Sequence, residues 1–145
     1  MSTNNALFVD TSGWAAFFDR DDPDHTATAA IVAESIRQHR TLVTTNYVLA
    51  EIVALFSSRR MHTPHTEMVT AMTLIKTEPG IRIEHIDPIT DEEAWQLVVS
   101  RPDKRWSLVD TSSFVVMRRL GITDALTADH HFEQAGFTRM LGSHP

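Results

Sequence analysis

Short apolar runs, each no longer than a buried strand and each followed by a stretch long enough for a helix, constrain this chain more than any other feature. Ala6-Leu-Phe-Val-Asp10 is the first such run and Thr41-Leu-Val-Thr44 the second. Ile81-Arg-Ile-Glu-His-Ile86 alternates as a strand with one polar face, and Ala125-Leu-Thr127 comes fourth. Uninterrupted apolar runs suit strands covered on both faces, the condition of a parallel sheet between helices. The intervening segments carry helix signals. Ser12 to Phe18 reads as a short helix, and Asp22-Pro23 as the cap and first turn of a helix to about Arg40. Asn46 begins a helix with a broad apolar face of Val48, Leu49, Ile52, Val53, Leu55 and Phe56. Thr63-Pro64 starts another to about Thr77, stopped by Pro79-Gly80. Thr90-Asp-Glu-Glu93 reads as a capping box for a helix through Val99, and a further helix runs from about Thr111 to Leu120, ended by Gly121. Phe137 to Leu141 completes the pattern as an edge strand. Such alternation implies an α/β fold, three layers α/β/α around a central, mostly parallel sheet.

The chain of 145 residues suits one domain, taken here as residues 1–145, with 42% hydrophobic and 22% charged residues, an ordinary soluble balance. No apolar run approaches the roughly 18 residues of a membrane span, and the first residues lack a signal-peptide pattern. Without cysteine, disulfides and thiolate metal sites are excluded. The expected location is the cytoplasm. A formal charge of −6 argues against a nucleic-acid coat protein but not against a nuclease, whose site carboxylates contribute to that charge.

The chemistry lies in the acids. Val9-Asp10-Thr11-Ser12-Gly13 and Val109-Asp110-Thr111-Ser112-Ser113 repeat one pattern: an apolar residue, an aspartate, two small hydroxyl residues, then a helix. Each aspartate alone suits a helix N-cap. Glu51 is harder to explain away. Its neighbours three and four positions off are Tyr47, Val48, Ala54 and Leu55, and a carboxylate beside an apolar stripe costs several kcal/mol unless paired or metal-bound. The alternative is an ion pair with Arg59 or Arg60. Asp129 follows the fourth strand and could cap the turn through Phe132 and Glu133. Ligands of open parallel sheets bind beyond the carboxyl ends of the strands, which puts Asp10 and Asp129 on one rim. Four carboxylates about 5–6 Å apart would repel by roughly 3 kcal/mol per pair at an effective dielectric near 20, so a cation or protonation must intervene. All-oxygen ligation favours Mg2+ or Mn2+. Thr11, Ser12, Ser112 and Thr127 lie beside the acids and could orient them, or serve as simple turn hydroxyls.

These residues resemble the PIN-domain ribonucleases, and among them the VapC toxins of bacterial toxin–antitoxin pairs. The matching segments are Phe8-Val-Asp-Thr-Ser12, Thr44-Thr-Asn-Tyr-Val-Leu-Ala-Glu51, Trp106-Ser-Leu-Val-Asp110 with Ser113-Phe-Val-Val-Met117, and Leu126-Thr-Ala-Asp-His-His-Phe132, followed by Ala135-Gly-Phe137. The resemblance implies that Asp10, Glu51, Asp110 and Asp129 form the catalytic, metal-binding quartet, holding Mg2+ or Mn2+ for RNA hydrolysis that leaves a 5′-phosphate. Asp124 is expected to stay outside it. The resemblance also implies a cognate antitoxin and a homodimer.

Substrate contacts are expected from Ser12, Ser112, Lys104 and Arg105, the last two in the basic loop Arg101-Pro-Asp-Lys-Arg-Trp106. Trp106 is expected to anchor that loop rather than stack on a base. His62-x-x-His65 straddles a Pro-marked helix start with no acid or cysteine completing a zinc site, and His130, which follows Asp129 and could touch substrate, reads as a structural helix-start histidine, so all of them, His131 included, are left out. An aspartyl-phosphate hydrolase would want a second aspartate where Ser12 stands, and a phosphoacceptor receiver would not place Glu51 mid-helix. A free-standing RNA-processing nuclease, or an RNA-binding module that does not cut, remains as the alternative on the same fold.

Overall fold

A computed structural model describes residues 5–58 and 63–142. Its elements run β1 (Leu7–Val9), α1 (Thr11–Phe18), α2 (His25–Arg37), β2 (Leu42–Thr45), α3 (Asn46–Phe56), α4 (His65–Thr77), β3 (Ile81–Glu84), α5 (Pro88–Ser100), α6 (Leu108–Leu120), β4 (Asp124–Leu126), α7 (His131–Gln134) and β5 (Thr138–Arg139). The sheet has strand order β3-β2-β1-β4-β5, and every pairing is parallel. β1 sits at the centre, with Phe8 opposite Val43 on one side and Ala125 on the other. Central strands must bury both faces, and Leu7, Phe8 and Val9 are all fully buried. Edge strand β3 is only partly covered, which is why its sequence alternates.

The boundaries move where an acid caps something other than the expected helix. α2 begins at His25, because Asp22 accepts the Asp24 N–H at 2.8 Å and Asp19 accepts the Asp21 N–H at 3.0 Å, closing turns instead. α5 begins at Pro88 behind Asp87, whose carboxylate accepts the Thr90 N–H at 2.8 Å. Thr90, expected as the cap, is inside the helix and buried. β3 stops at Glu84, and the Ile86 N–H goes to the Asn46 side chain at 2.7 Å.

The N-terminal ends of the strands are clasped by Arg40, which donates to the Asn5 carbonyl at 2.7 Å and pairs with Asp124 at 3.2 Å. Asp124 therefore serves the opposite end of the sheet from Asp129. At the carboxyl ends, β1 runs directly into α1 through Asp10, and β2 into α3 through Thr45, which accepts the Val48 N–H. Gly13 makes the first junction possible. A Cβ there would lie 2.2 Å from the Leu126 carbonyl oxygen, so the start of α1 rests on the backbone of β4.

Candidate active site

Asp10 and Asp110 have nearly the same sequence context and different backbone roles. Asp10 is extended, outside α1, and its side chain makes no capping bond. Asp110 lies inside α6 at its third position: α6 starts at Leu108, not Thr111, behind Ser107. Ser107 Oγ accepts the Asp110 N–H and Asp110 Oδ2 accepts the Ser107 N–H, each at 3.0 Å, a reciprocal capping box. Asp10 thus stands at the N-cap position of α1 without capping it, and Asp110 is not an N-cap but the third residue of a helix capped by Ser107.

Asp10 is 4% exposed. Its Oδ2 accepts from Thr127 Oγ1 at 3.1 Å, while Oδ1 is buried with no partner. Thr127 has one hydroxyl hydrogen, and the carboxylate takes it. The Ser12 hydroxyl, 3.0 Å away, must then donate to Thr127 Oγ1, which also accepts the Asp129 N–H at 3.0 Å. Ser12 Oγ in turn accepts the Ala128 N–H at 2.9 Å. Two hydroxyls therefore join α1 to the turn that carries Asp129 and fix Asp10 in passing. Thr11 donates to Glu51 Oε1 across to α3. Arg59 and Arg60, the alternative partners for Glu51, lie outside the described residues, as does His62.

The last acid is held from two sides. Asp129 Oδ1 accepts the His131 N–H at 2.9 Å, and His131 Nδ1 lies 3.3 Å from the same oxygen and 3.0 Å from Asp110 Oδ2. Each of the four carboxylates thus gives one oxygen to a hydrogen bond. Among the described residues, the other oxygen of each receives none.

The electrostatics join the acids into one group. Burial pushes Asp10 up to about 7 from its ordinary 3.8, the Thr11 N–H pulls it back, and Asp110 and Glu51 push it further up. Burial likewise raises Asp110, opposed by the Ser107 N–H, with Asp129 adding to the rise and His131 reducing it. A buried carboxylate oxygen with no donor, among like charges, is unfavourable unless a cation or a proton comes to it. The donors are hard oxygens, which fit Mg2+ or Mn2+. A nitrogen-containing group, Asp129, His130 and His131, also has ligand atoms within 4.8 Å of one another.

A PIN-domain family model matches residues 7–138. This chain is a PIN-domain protein. Curated relatives of the PIN domain here include the 23S rRNA-specific endonuclease VapC20 from two strains of Mycobacterium tuberculosis, each 33% identical over 134 residues, 92% of this chain and 97% of the relative. A solved structure of Mycobacterium tuberculosis VapC20, described as a Sarcin-Ricin loop cleaving toxin, superposes with a TM-score of 0.80 at 32% identity, covering 92% of this chain and 97% of that one. The expected resemblance to VapC toxins and the three-layer α/β architecture are both borne out.

The expected substrate residues fare differently in this PIN domain. Ser112 is fully buried and donates to the Val109 carbonyl at 2.9 Å, one turn back in its own helix. A hydroxyl so placed cannot touch RNA, which corrects that expectation. Its loss would orphan nothing, since Ser113 donates to the same carbonyl. Ser112→Ala should leave melting within about 1 kcal/mol of wild type, and any cleavage rate within about twofold; a tenfold loss of rate would contradict this placement. Ser12 is engaged in the hydroxyl relay. Lys104 is half-buried beside Asp103 at 3.8 Å, whereas Arg105 is exposed with no ion pair among the described residues. Trp106 is 7% exposed, donates to Gln134 at 3.0 Å and packs edge-on against Phe114, so it anchors the loop as expected. His131 is the residue the sequence reading missed. Only the position of α7, two residues past Asp129, brings its ring between two acids.

Proposed function

We propose that this protein is a Mg2+- or Mn2+-dependent endoribonuclease, the toxin of a toxin–antitoxin pair, working in the cytoplasm on RNA through Asp10, Glu51, Asp110 and Asp129. The observation that carries this reading is the unpartnered, buried Oδ1 of Asp10 amid three other acids from separate elements. Each acid would offer the cation its unengaged oxygen: Asp10 Oδ1, Glu51 Oε2, Asp110 Oδ1 and Asp129 Oδ2. Once bound, a divalent ion supplies Lewis-acid stabilisation of the scissile phosphate and lowers the pKa of an attacking water. The chain's own contribution is orientation. Thr127, Thr11, the Ser107 N–H and His131 each fix an acid through its second oxygen, so the four stay put as charge develops on the phosphate.

Arg105, exposed at the head of α6, is suited to hold a flanking phosphate. Arg105→Ala should raise the KM for RNA about three- to tenfold, with kcat nearly unchanged and a shallower salt dependence. An unaltered KM would remove Arg105 from the substrate path. The relatives named for 23S rRNA and for the sarcin–ricin loop make ribosomal RNA the first substrate to try. The toxin reading brings with it an antitoxin and a homodimer.

The test is incubation of purified protein with total RNA and intact ribosomes in Mg2+, Mn2+ or EDTA. Discrete ends bearing 5′-phosphates, formed with either ion and absent in EDTA, are expected. Cleavage that survives EDTA, or leaves 2′,3′-cyclic phosphates, would replace metal-assisted water attack with attack by the ribose hydroxyl.

A further inference from the structure

Of the four acids, Asp10 and Glu51 are each held by one threonine hydroxyl, whereas Asp110 and Asp129 are both bonded by one residue, His131, through its ring and its main chain respectively. We propose that His131 is a positioning residue that ties Asp110 to the turn carrying Asp129, its Nδ1–H donating to Asp110 Oδ2 and its main-chain N–H to Asp129 Oδ1, which leaves the other oxygen of each acid for a cation. The inference rests on the ribonuclease reading above.

Ionised carboxylates only accept, so the hydrogen is assigned to Nδ1 and bonds Asp110 Oδ2 at 3.0 Å, with Asp129 Oδ1 a charge contact at 3.3 Å. The main chain reinforces it, because the His131 N–H also donates to Asp129 Oδ1 at 2.9 Å. The ring is held from behind. Phe132, the next residue, is fully buried, with its ring 5.0 Å from Phe114 and 6.3 Å from Phe8. That anchors α7 to β1 and α6, and the imidazole side chain is left only 19% exposed. His130 is the internal contrast. Its side chain is 66% exposed, and its Nδ1 stands 3.8 Å from Asp129, too far for a hydrogen bond.

Two simpler roles compete. His131 could merely fill space at the start of α7, or it could itself be a nitrogen ligand through its other ring nitrogen. Substitution separates all three. An asparagine amide places an N–H near the position of Nδ1, a glutamine near Nε2, and a leucine keeps volume without a donor.

The experiment measures Mn2+ affinity by calorimetry, kcat and KM on ribosomal RNA, and melting in EDTA, for wild type, His131→Asn, His131→Gln, His131→Leu and His130→Asn. His131→Leu and His131→Gln are expected to weaken Mn2+ binding about 10–100-fold and lower kcat similarly, with KM for RNA within about twofold. His131→Asn should return both to within about threefold of wild type, and His130→Asn should change neither. If His131→Leu fails to fold, the asparagine–glutamine contrast still decides. Leucine binding Mn2+ as wild type does, or asparagine as poor as glutamine, overturns the positioning role and leaves the ribonuclease reading intact. A wild type that neither binds Mn2+ nor cleaves overturns both.

Discussion

Asp10→Asn protein, stripped of divalent ions at pH 8, is expected to melt higher than wild type while losing RNA cleavage. The fold favours the protonated form of Asp10, raised from 3.8 to about 7 by burial and then by Asp110 and Glu51. Its contribution to stability is therefore complete below about pH 4 and is lost as the pH rises through 7. Above that, the metal-free protein carries an ionised, buried carboxylate with one bare oxygen, a penalty on the order of 4 kcal/mol. Asparagine keeps an acceptor for Thr127 and replaces the bare oxygen with an amide that can donate to a neighbouring carboxylate. The stability difference should shrink as the pH falls from 8 to 5 and vanish only below about pH 4, where Asp10 is protonated in the folded and unfolded chains alike. Mn2+ at pH 8 should raise the melting temperature of wild type and not of the variant, and Mn2+ binding below pH 7 should release protons. Cleavage should fall by roughly 100- to 1,000-fold, the scale seen when a principal electrostatic stabiliser is removed from a reacting centre. Unfolding curves in EDTA at pH 5 and 8 check the first part. Equal melting temperatures at pH 8 would mean that Asp10 is not the destabilised acid its burial implies.

Gly13→Ala should be among the most damaging single changes in the chain. Helix propensity alone favours alanine by about 1 kcal/mol at such a position. Contact decides otherwise: the new Cβ would meet the Leu126 carbonyl oxygen at 2.2 Å and Val9 Cγ1 at 3.1 Å. Backbone oxygen cannot swing aside as a flexible side chain can, so α1 must lift from β4. The movement would carry Thr11 away from Glu51 and Ser12 away from Thr127 and Ala128. A loss of about 3 kcal/mol or more is expected, together with loss of cleavage even in protein that remains folded. Chemical denaturation measures it. A variant as stable as wild type would show that the helix start is freer than this packing allows.

The strands were readable because central parallel strands must be apolar on both faces, and β1, β2 and β4 left that mark in the sequence. The four acids stood out for a related reason: carboxylates at strand ends and beside an apolar helical face are costly without a purpose. Boundaries were less readable. Asp22 reads as a cap yet closes a turn, and Asp87 rather than Thr90 caps α5, because only the path of the chain decides which N–H each one meets. The twin Val-Asp-Thr-Ser segments show the same limit, for one aspartate leaves a strand and the other sits inside a helix. Ser12 and Ser112 share a local sequence and part company in space, one joining two elements and the other turned back on its own helix.

Local rules act over a few residues, so the sequence by itself determined the alternating architecture, the family resemblance and the acids that stand out. Asp110 and Asp129 also have partners close in the chain, Ser107 and His131, but Thr11 meets Glu51 across 40 positions, Thr127 meets Asp10 across 117, and His131 reaches Asp110 across 21. No local pattern encodes such pairings. Chain crossing at the carboxyl edge of the sheet brings them together, and with them the close approach at Gly13 and the place of His131 between two carboxylates.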